Sequence, residues 1–207
     1  MGLNRIIQKL IFTDSKSYWE RHYKSGRDAG SGSRGDLAKF KAKTLNRLVA
    51  DRGVKTIIEF GCGDGNQLRL AEYPSYLGVD VSKTAIDRCK KSFSDRPSFQ
   101  FIVAAEWEAQ PSPTYDLALS LDVIFHLVED AVFDEYMARL FGVNAHVVVI
   151  YSSDIDKFDN KYPHVRHRKF TDWVAAHAPN YSLATVIKNE YPRASHSDFF
   201  LYEKIGH

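Results

Sequence analysis

The sequence predicts a single α/β domain of the doubly wound, Rossmann-like type, in which helices cover both faces of a mostly parallel sheet. Three observations lead to this prediction. Strand-like and helix-like segments alternate from residue 37 onward, a glycine cluster directly follows the first strand, and two strand-like runs close the chain. The 207 residues are enough for one domain of this type.

The predicted strands are short runs rich in β-branched and aromatic residues. They cover 56–60, 76–80, 99–103, 116–121 and 146–153, and then 182–191 and 197–205. Apolar residues at helical spacing predict helices over 37–51, 66–73, 83–93, 129–141 and 171–178. Because strands and helices alternate, the first five strands should be parallel, and the last two should form an antiparallel hairpin at a sheet edge.

The first 36 residues form a separate unit in this interpretation, ahead of a main domain over 37–207. Apolar residues at helical spacing near the start predict a helix that caps the domain. These are Ile6, Ile7, Leu10 and Ile11. The stretch 25–35 is too rich in glycine and serine for a helix or strand, and it is either a plain linker or the hinge of a lid.

Composition excludes several broad classes of protein. With 44% hydrophobic residues the chain can bury a core, and a net charge of +2 gives no sign of an obligatory polyanionic or membrane partner. The first residues lack the unbroken apolar run of a signal peptide or membrane span. Cys62 and Cys89 make no disulfide framework, so we expect a cytoplasmic protein, and the modest length favours a monomer or weak dimer.

The most informative motif is the run EFGCGDG at 59–65, between the first strand and the segment that follows. In a doubly wound sheet, ligands bind beyond the carboxyl ends of the strands, and glycines let a ligand approach the main chain closely. Asp80 ends the second strand at the distance where an acidic side chain accepts hydrogen bonds from ribose hydroxyls. The alternative is that Asp80 caps the following helix. The glycine spacing is G-x-G-x-G, which differs from the G-x-G-x-x-G of dinucleotide sites.

These motifs resemble those of the class I S-adenosylmethionine-dependent methyltransferases, over about residues 37–205. The resemblance implies S-adenosylmethionine as cofactor and a seven-stranded sheet ending in an antiparallel hairpin. The run 114–127 is similar to the family's fourth-strand motif, whose end faces cofactor and acceptor. The implied cofactor-binding residues are Glu59, Gly61, Cys62, Gly63, Gly65, Asp80, Val81, Glu106, Trp107 and Leu121. A narrower similarity, in the YWE and HVRHRKF segments, is to compact bacterial methyltransferases found among surface-polysaccharide genes.

One position departs from the family pattern. The family often places an acidic residue against the adenine amino group after the third strand, but Ala105 stands in that position here. Glu106 would then contact adenine and Trp107 would cover its face. A solvent-facing glutamate and a core tryptophan are the alternative.

Methyl transfer needs a group that holds the acceptor in line with the methyl carbon. A hydroxyl acceptor also needs a base that removes its proton. His126 and Asp122 follow the fourth strand at the expected cofactor face, so they are candidates for base and orienting carboxylate, and His167 is a further catalytic candidate. Packing under the cofactor or capping a turn are the alternative roles. No metal ion is expected.

A cluster of cationic side chains over 164–169 precedes a predicted helix, with Thr171 as a plausible N-cap. Arginines beside exposed helix amides make a good site for a phosphate or carboxylate, although a solvated charged face is the simpler interpretation. The expected acceptor-binding residues are Tyr18, Trp19, His164, Arg166 and Arg168.

The sequence therefore predicts a methyltransferase for a small anionic acceptor, with transfer to a sugar hydroxyl or a phosphoryl oxygen. Two alternatives stay open: a methyltransferase for nucleic acid or protein, and a non-catalytic cofactor-binding protein. The fourth-strand run SLDVIF lacks the D/N-P-P-aromatic signature of enzymes that methylate exocyclic base amines, and no long basic face studded with aromatic residues is visible. No nucleic-acid partner is expected.

Overall fold

The computed structural model describes residues 12–107, 115–159 and 162–206. Its main sheet has seven strands, and helices cover both faces, as the sequence predicts. The predicted helix around Ile6 to Ile11 lies outside the described residues, so its existence stays a prediction.

The structure describes nine strands, and the seven of the large sheet match the predicted strands within a few residues. They are β1 (Thr56–Phe60), β2 (Ser75–Asp80), β3 (Phe99–Val103), β4 (Leu117–Leu121), β5 (Val147–Ser152), β6 (Lys157–Phe158), β7 (Arg166–His167), β8 (Tyr181–Ile187) and β9 (Asp198–Lys204). Two of them, β6 and β7, pair in a small separate sheet that the sequence does not reveal, because each contributes only two residues.

Two of the α-helices in the described segments come before the first strand, and the others lie between strands along the chain. They are α1 (Ser15–Lys24), α2 (Gly35–Asp51), α3 (Lys83–Ser92), the single turn α4 (Ala104–Trp107), α5 (Asp130–Gly142) and α6 (Phe170–His177). Helix α2 begins two residues before the predicted start of the main domain. Asp14 starts α1 with a side-chain cap, because its carboxylate accepts a hydrogen bond from the backbone N–H of Ser17 at 2.7 Å.

The strand order of the large sheet is β3-β2-β1-β4-β5-β9-β8. Strands β1 to β5 are parallel, whereas β9 runs antiparallel to both β5 and β8. The predicted parallel sheet with a terminal antiparallel hairpin is therefore confirmed. The order reverses at β1 and β4, so the carboxyl ends of these strands flank the crevice where doubly wound folds bind ligands.

Two apolar layers hold the sheet between its helices. Every residue of β4 is buried, because successive side chains point to opposite faces and both faces are covered. Ile58 and Ala118 belong to the layer beneath α5 and α6, and Ile57 and Leu119 belong to the layer beneath α2 and α3. This rigid sheet fixes the strand ends that carry the candidate site.

The predicted helix over 66–73 is wrong, since the chain there forms only a 3₁₀ turn at Gln67–Leu70. The Asn46 side chain donates to the carbonyl of Leu70 and accepts from the N–H of Glu72, so it takes backbone groups that a helix would use. Pro74 follows this turn closely, and helical backbone angles are unfavourable for the residue that precedes a proline.

The predicted N-cap at Thr171 is also wrong. Helix α6 starts one residue earlier, at Phe170, with Lys169 in the cap position. Thr171 instead binds Asp154, through its hydroxyl at 2.7 Å and its backbone N–H at 3.1 Å. Asp154 also forms an isolated bridge with Arg168, so this residue ties the cationic segment to the start of α6.

We expect Gly61→Ala to destabilise the fold by about 2–4 kcal/mol, because a left-handed backbone and a steric overlap act together. Gly61 has φ +82°, and an added Cβ would overlap the Val123 side chain. Gly53→Ala is the matched control, since Gly53 has φ +62° with open space around the added atom, and it should cost only about 1–2 kcal/mol. Urea unfolding measures the free energy of unfolding of both variants. Equal losses would show that the overlap with Val123 adds no cost at Gly61.

Candidate active site

A cavity of about 470 Å³ lies at the carboxyl ends of β1, β2 and β4. The glycine loop after β1, the end of β2 and the segment after β4 form its floor, and α1 with the loop after it forms another wall. Pockets for drug-sized and cofactor-sized ligands fall in the range of about 300–1,000 Å³. The cavity is therefore large enough for a small organic ligand at the position that the fold favours.

The glycine loop turns sharply over the end of β2. Backbone N–H groups of Gly61 and Cys62 donate to the carbonyl of Val79 at 2.7 and 3.2 Å. At Gly63, with φ +57°, a Cβ would meet the Tyr23 hydroxyl at 2.8 Å. The loop thus needs glycine at these positions, because a side chain would collide with Val123 or Tyr23.

Asp80 connects the glycine loop with the start of α3. Its carboxylate is buried and accepts from the N–H of Gly63 at 2.9 Å and the N–H of Ser82 at 2.8 Å, with one oxygen for each. Burial raises the pKa of Asp80 to about 6, against the opposing effect of these two hydrogen bonds. Each oxygen keeps a further lone pair, so the carboxylate can accept more hydrogen bonds from a ligand in the cavity.

Glu59 lies under the same loop, at the floor of the cavity. It accepts a hydrogen bond from the Tyr76 hydroxyl at 2.6 Å. Burial raises its pKa to about 7, although the Tyr76 hydrogen bond and the charge of Lys41 work in the other direction. Glu59 therefore supports the loop and brings a titratable carboxyl group to the cavity.

A buried ion pair, which the sequence interpretation missed, stands beside Glu59. The Lys41 side chain is only 1% exposed, and its Nζ lies 2.5 Å from Oδ2 of Asp122. Asp122 has φ +59°, which is unusual for a residue with a side chain, and its carboxylate also lies close to Gly32. The pair fixes Asp122 at the cavity wall. A lysine on the apolar stripe between Leu37 and Leu45 is the signal that could have revealed it.

Helix α1 is joined to the main domain through Glu20. Its carboxylate accepts from the hydroxyls of Ser82 and Thr84 at 2.6 and 2.9 Å and from the Thr84 N–H at 3.2 Å. Burial acts to raise the pKa of Glu20, but these hydrogen bonds outweigh it and the pKa falls to about 2. The contact is therefore charge-assisted at neutral pH.

Both ends of α1 are also tied down. At its start, the Ser15 hydroxyl donates to Glu129 at 2.6 Å, and the Ser15 N–H donates to the same carboxylate at 2.9 Å. At its end, the Arg88 guanidinium donates to the backbone carbonyls of Tyr23 and Arg27. The Ala29 N–H then donates to Asp64 of the glycine loop at 3.3 Å. The N-terminal segment is thus docked over the cavity.

His126 occupies a short 3₁₀ turn after β4 and lines the cavity. Its Nδ1 lies 3.1 Å from the carbonyl of His164. Since a carbonyl only accepts, Nδ1 carries the proton and Nε2 keeps a lone pair in the neutral ring. Burial lowers the pKa of His126 to about 3, so the ring is neutral across the physiological range.

Aromatic rings from three chain segments surround His126. The Trp19 ring meets it edge-on at a centroid distance of 4.7 Å, and Phe125 lies at 4.5 Å. Tyr18 stacks on His164 at 4.4 Å. The structure therefore brings the predicted residues Tyr18, Trp19, His126 and His164 together at one end of the cavity.

Three of the residues implied for cofactor binding do not line the cavity. An added Cβ at Gly65 would meet Phe93 and Cys89, so Gly65 serves the packing of the loop on α3. The Glu106 side chain is exposed, and Trp107 is buried in the core with its ring edge-on to Phe60 at 5.1 Å. The positions expected for adenine contacts therefore fit the alternative, a solvent-facing glutamate and a core tryptophan.

The cationic segment is also built differently from the expectation. Arg166 and Arg168 both bind Asp130, and Arg168 is buried and donates to the carbonyls of Leu127 and Val128 at 2.9 and 2.8 Å. Neither arginine lines the cavity. These cations are thus used to hold the segment after β4, and the open anion site that the sequence suggested is not formed by them.

His167 likewise lies outside the cavity lining, with Nδ1 2.6 Å from the Ser153 hydroxyl. The remaining predicted site residues line the cavity. They are Glu59, Gly61, Cys62, Gly63, Asp80, Val81, Leu121, Asp122, His126, Tyr18, Trp19 and His164.

Comparison with protein families identifies one match. Residues 57–146 match the model of a methyltransferase domain. This range contains the glycine loop, Asp80 and the segment after β4. No curated protein matches the sequence. Among the described residues, no helix is both long enough and apolar enough to cross a membrane.

Solved structures with the same fold include several methyltransferases. The N-methyltransferase NodS from Bradyrhizobium japonicum, in complex with S-adenosylhomocysteine, is similar with a TM-score of 0.72 at 15% identity, over 93% of this chain and 99% of that one. Magnesium protoporphyrin IX methyltransferase ChlM from Synechocystis, with bound S-adenosylhomocysteine, gives a TM-score of 0.65 at 16% identity, over 92% and 100%. The small RNA methyltransferase HEN1 gives 0.64 at 16%, over 87% of this chain but 27% of that one. At these identities the likeness shows the fold.

We expect Glu20→Ala to release the N-terminal segment, because three hydrogen bonds to a charged carboxylate are lost and each is worth about 1.5–3 kcal/mol. Limited trypsin digestion should then cut after the exposed Arg27 about ten times faster than in the wild type. Asp36→Ala is the matched control, since Asp36 pairs only with Lys39 on the surface of α2 in the contacts described here. Equal cleavage of the Glu20 variant and the wild type would contradict the docking role.

Proposed function

We propose that this chain, whose residues 57–146 match a methyltransferase domain, is a class I S-adenosylmethionine-dependent methyltransferase that transfers a methyl group from this cofactor to a hydroxyl of a small molecule. One observation carries the proposal: the glycine loop, the Asp80 carboxylate and a neutral histidine share one cavity at the carboxyl ends of the strands. The first two suit an adenosyl cofactor, and the histidine suits proton removal from an acceptor.

The residues at the cavity fit the cofactor. Asp80 has spare lone pairs for the ribose hydroxyls, and Val81 beside it offers an exposed apolar side chain for the base. Oε1 of Gln67 is buried and finds no hydrogen bond among the described residues, so it fits an ammonium group such as that of the methionine part. Gly61 and Gly63 line the cavity next to Asp80, where the part of the cofactor that connects its two ends would lie.

A small acceptor is favoured over a polymer by the docked N-terminal segment. Trp19 and Tyr18 on α1 lie over the end of the cavity that holds His126. A polymeric strand or an extended peptide needs an open groove, whereas a small molecule can be enclosed after this segment moves. The segment would then exclude water and hold the acceptor in line with the methyl carbon.

The cofactor supplies an activated methyl group on a sulfonium centre. With that methyl group supplied, His126 would receive the proton of the acceptor hydroxyl through Nε2. The hydroxyl becomes strongly acidic during this step, so a histidine with a low pKa can still accept its proton. The carbonyl of His164 holds the ring in the required tautomer.

The anionic character of the acceptor, which the cationic segment suggested, loses its basis in Arg166 and Arg168. Both arginines bind Asp130. Lys41 at the cavity wall is likewise paired, with Asp122. We therefore keep the hydroxyl acceptor, as on a sugar, and omit the requirement for a phosphate.

Calorimetric titration tests the cofactor part of the proposal. S-adenosylmethionine and S-adenosylhomocysteine should bind to the wild type and bind at least about tenfold more weakly to Asp80→Ala, because two ribose hydrogen bonds are lost. NAD and NADP serve as controls and should not bind.

Methyl transfer from labelled cofactor into a nuclease-resistant small molecule tests the acceptor class. Label in nucleic acid or protein would contradict a small acceptor.

The affinity for S-adenosylhomocysteine should fall at low pH. The pKa of Asp80 is raised to about 6, so the carboxyl of the cofactor-free protein takes up a proton below pH 6, and it then loses its charge and accepts hydrogen bonds from ribose more weakly. The dissociation constant should be constant above about pH 7 and rise about tenfold per pH unit below 6. Asp80→Asn is the control, because it leaves the titration of Glu59 in place. An equally steep pH dependence in Asp80→Asn would assign the effect to another group.

We expect His126→Asn to lower kcat by about 10²–10⁴-fold, since the variant loses the base at Nε2. Its amide can still donate to the His164 carbonyl from the position of Nδ1, so the local structure and the affinity for S-adenosylhomocysteine should change little. Single-turnover transfer to the acceptor found with labelled cofactor measures the effect. An unchanged rate would show that the hydroxyl needs no base from His126.

A further inference from the structure

A second histidine of the cavity, His22 on α1, plays no part in the mechanism above. Its Nε2 lies 2.8 Å from the carbonyl of Asp28, in the loop after α1. Because a carbonyl can only accept, Nε2 carries the proton in this contact. The neutral ring therefore presents a lone pair at Nδ1, as His126 does at Nε2.

Nδ1 of His22 is buried, and no described residue provides it with a hydrogen bond. A buried acceptor without a partner costs about 1–3 kcal/mol, so such an atom calls for an explanation. His22 lines the same cavity as His126. A ligand in that cavity is therefore the natural source of the missing donor.

The two histidines both contact the indole ring of Trp19. The Trp19 ring centroid lies 5.0 Å from that of His22 and 4.7 Å from that of His126, edge-on in both cases. Burial lowers the pKa of His22 below its ordinary value, with Arg27 and Arg88 acting in the same direction. Both rings are thus neutral acceptors beside Trp19, and both line the same cavity.

We propose that Nδ1 of His22 accepts a hydrogen bond from a second hydroxyl or amine of the methyl acceptor, so that the substrate class is a polyol or amino alcohol and not a compound with a single hydroxyl. This inference rests on the proposed function, in which His126 receives the proton of the methylated hydroxyl. His22 is a specificity residue: it recognises the donor that does not react.

The surrounding groups fit a substrate rich in donors. The carbonyls of Asp28 and His164 are each occupied by a histidine, and the arginines nearby on the β7 segment are bound to Asp130. A buried lone pair rejects an analogue that lacks the matching donor, because the acceptor then stays unpaired in the complex. Discrimination of about tenfold or more between a diol and its deoxy analogue follows from one such hydrogen bond.

Two variants of His22 separate its two nitrogens. His22→Gln places an amide near the position of Nε2, which keeps the bond to the Asp28 carbonyl and removes the acceptor at Nδ1. His22→Asn places an amide oxygen near Nδ1 and restores an acceptor there. Thermal melting with and without S-adenosylhomocysteine checks that both variants fold and bind the cofactor.

The probes are methyl α-D-glucopyranoside with its monodeoxy analogues, and catechol with phenol. In the wild type, kcat/KM for the compound with more donors should exceed that for at least one matched analogue by about tenfold or more. In His22→Gln, the kcat/KM values of the two matched compounds should differ by no more than about twofold, because only the value for the better substrate falls. His22→Asn should recover part of the preference.

A measurement on the wild type does not depend on the variants. In ¹⁵N NMR spectra of the S-adenosylhomocysteine complex, His22 should carry its proton on Nε2, and the better probe should shift the Nδ1 resonance toward the hydrogen-bonded range. A proton on Nδ1, equal use of matched probes by the wild type, or methylation of none of the polyols overturns the inference. The proposed function fails separately, if neither S-adenosylmethionine nor S-adenosylhomocysteine binds.

Discussion

The buried carboxylate of Asp80 is the interaction on which the site depends. It binds the glycine loop through Gly63 and the start of α3 through Ser82, and Ser82 in turn donates to Glu20 of α1. One hydrogen-bonded chain thus runs from the end of β2 to the N-terminal segment. Its cost is the burial of a charge, which is visible in the raised pKa of Asp80. A ligand that donates to this carboxylate would offset that cost and strengthen the whole chain of contacts.

The two halves of the cavity are held in place by different kinds of contact. The strand ends and the glycine loop form a rigid half, because they belong to a sheet that is buried on both faces. Helix α1 and the loop after it form the other half, held by polar contacts such as Glu20 and Arg88. Polar contacts of this kind open at lower free energy than a packed core. The cofactor end would therefore be preformed, and the acceptor end would be completed by docking.

Much of this was predictable from the sequence, and for a physical reason. Periodicity predicts the strands and most helices, and the glycine loop with Asp80 predicts the position of the cavity, because local spacing determines both. The short turn at Gln67–Leu70 was missed, since the side chain of Asn46, distant in sequence, decides it. The arginine cluster was misread for the same reason. Its partner Asp130 lies 36 residues from Arg166, and no local pattern reveals such a pairing.

We propose that the cofactor lies against the glycine loop and that the N-terminal segment closes over the acceptor end. A crystal structure of the complex with S-adenosylhomocysteine tests it most directly. We expect ribose hydroxyls within hydrogen-bond distance of Asp80 and the sulfur facing the end of the cavity that holds His126 and Trp19. Binding of the ribose away from Asp80, or a sulfur that faces away from His126, would contradict it.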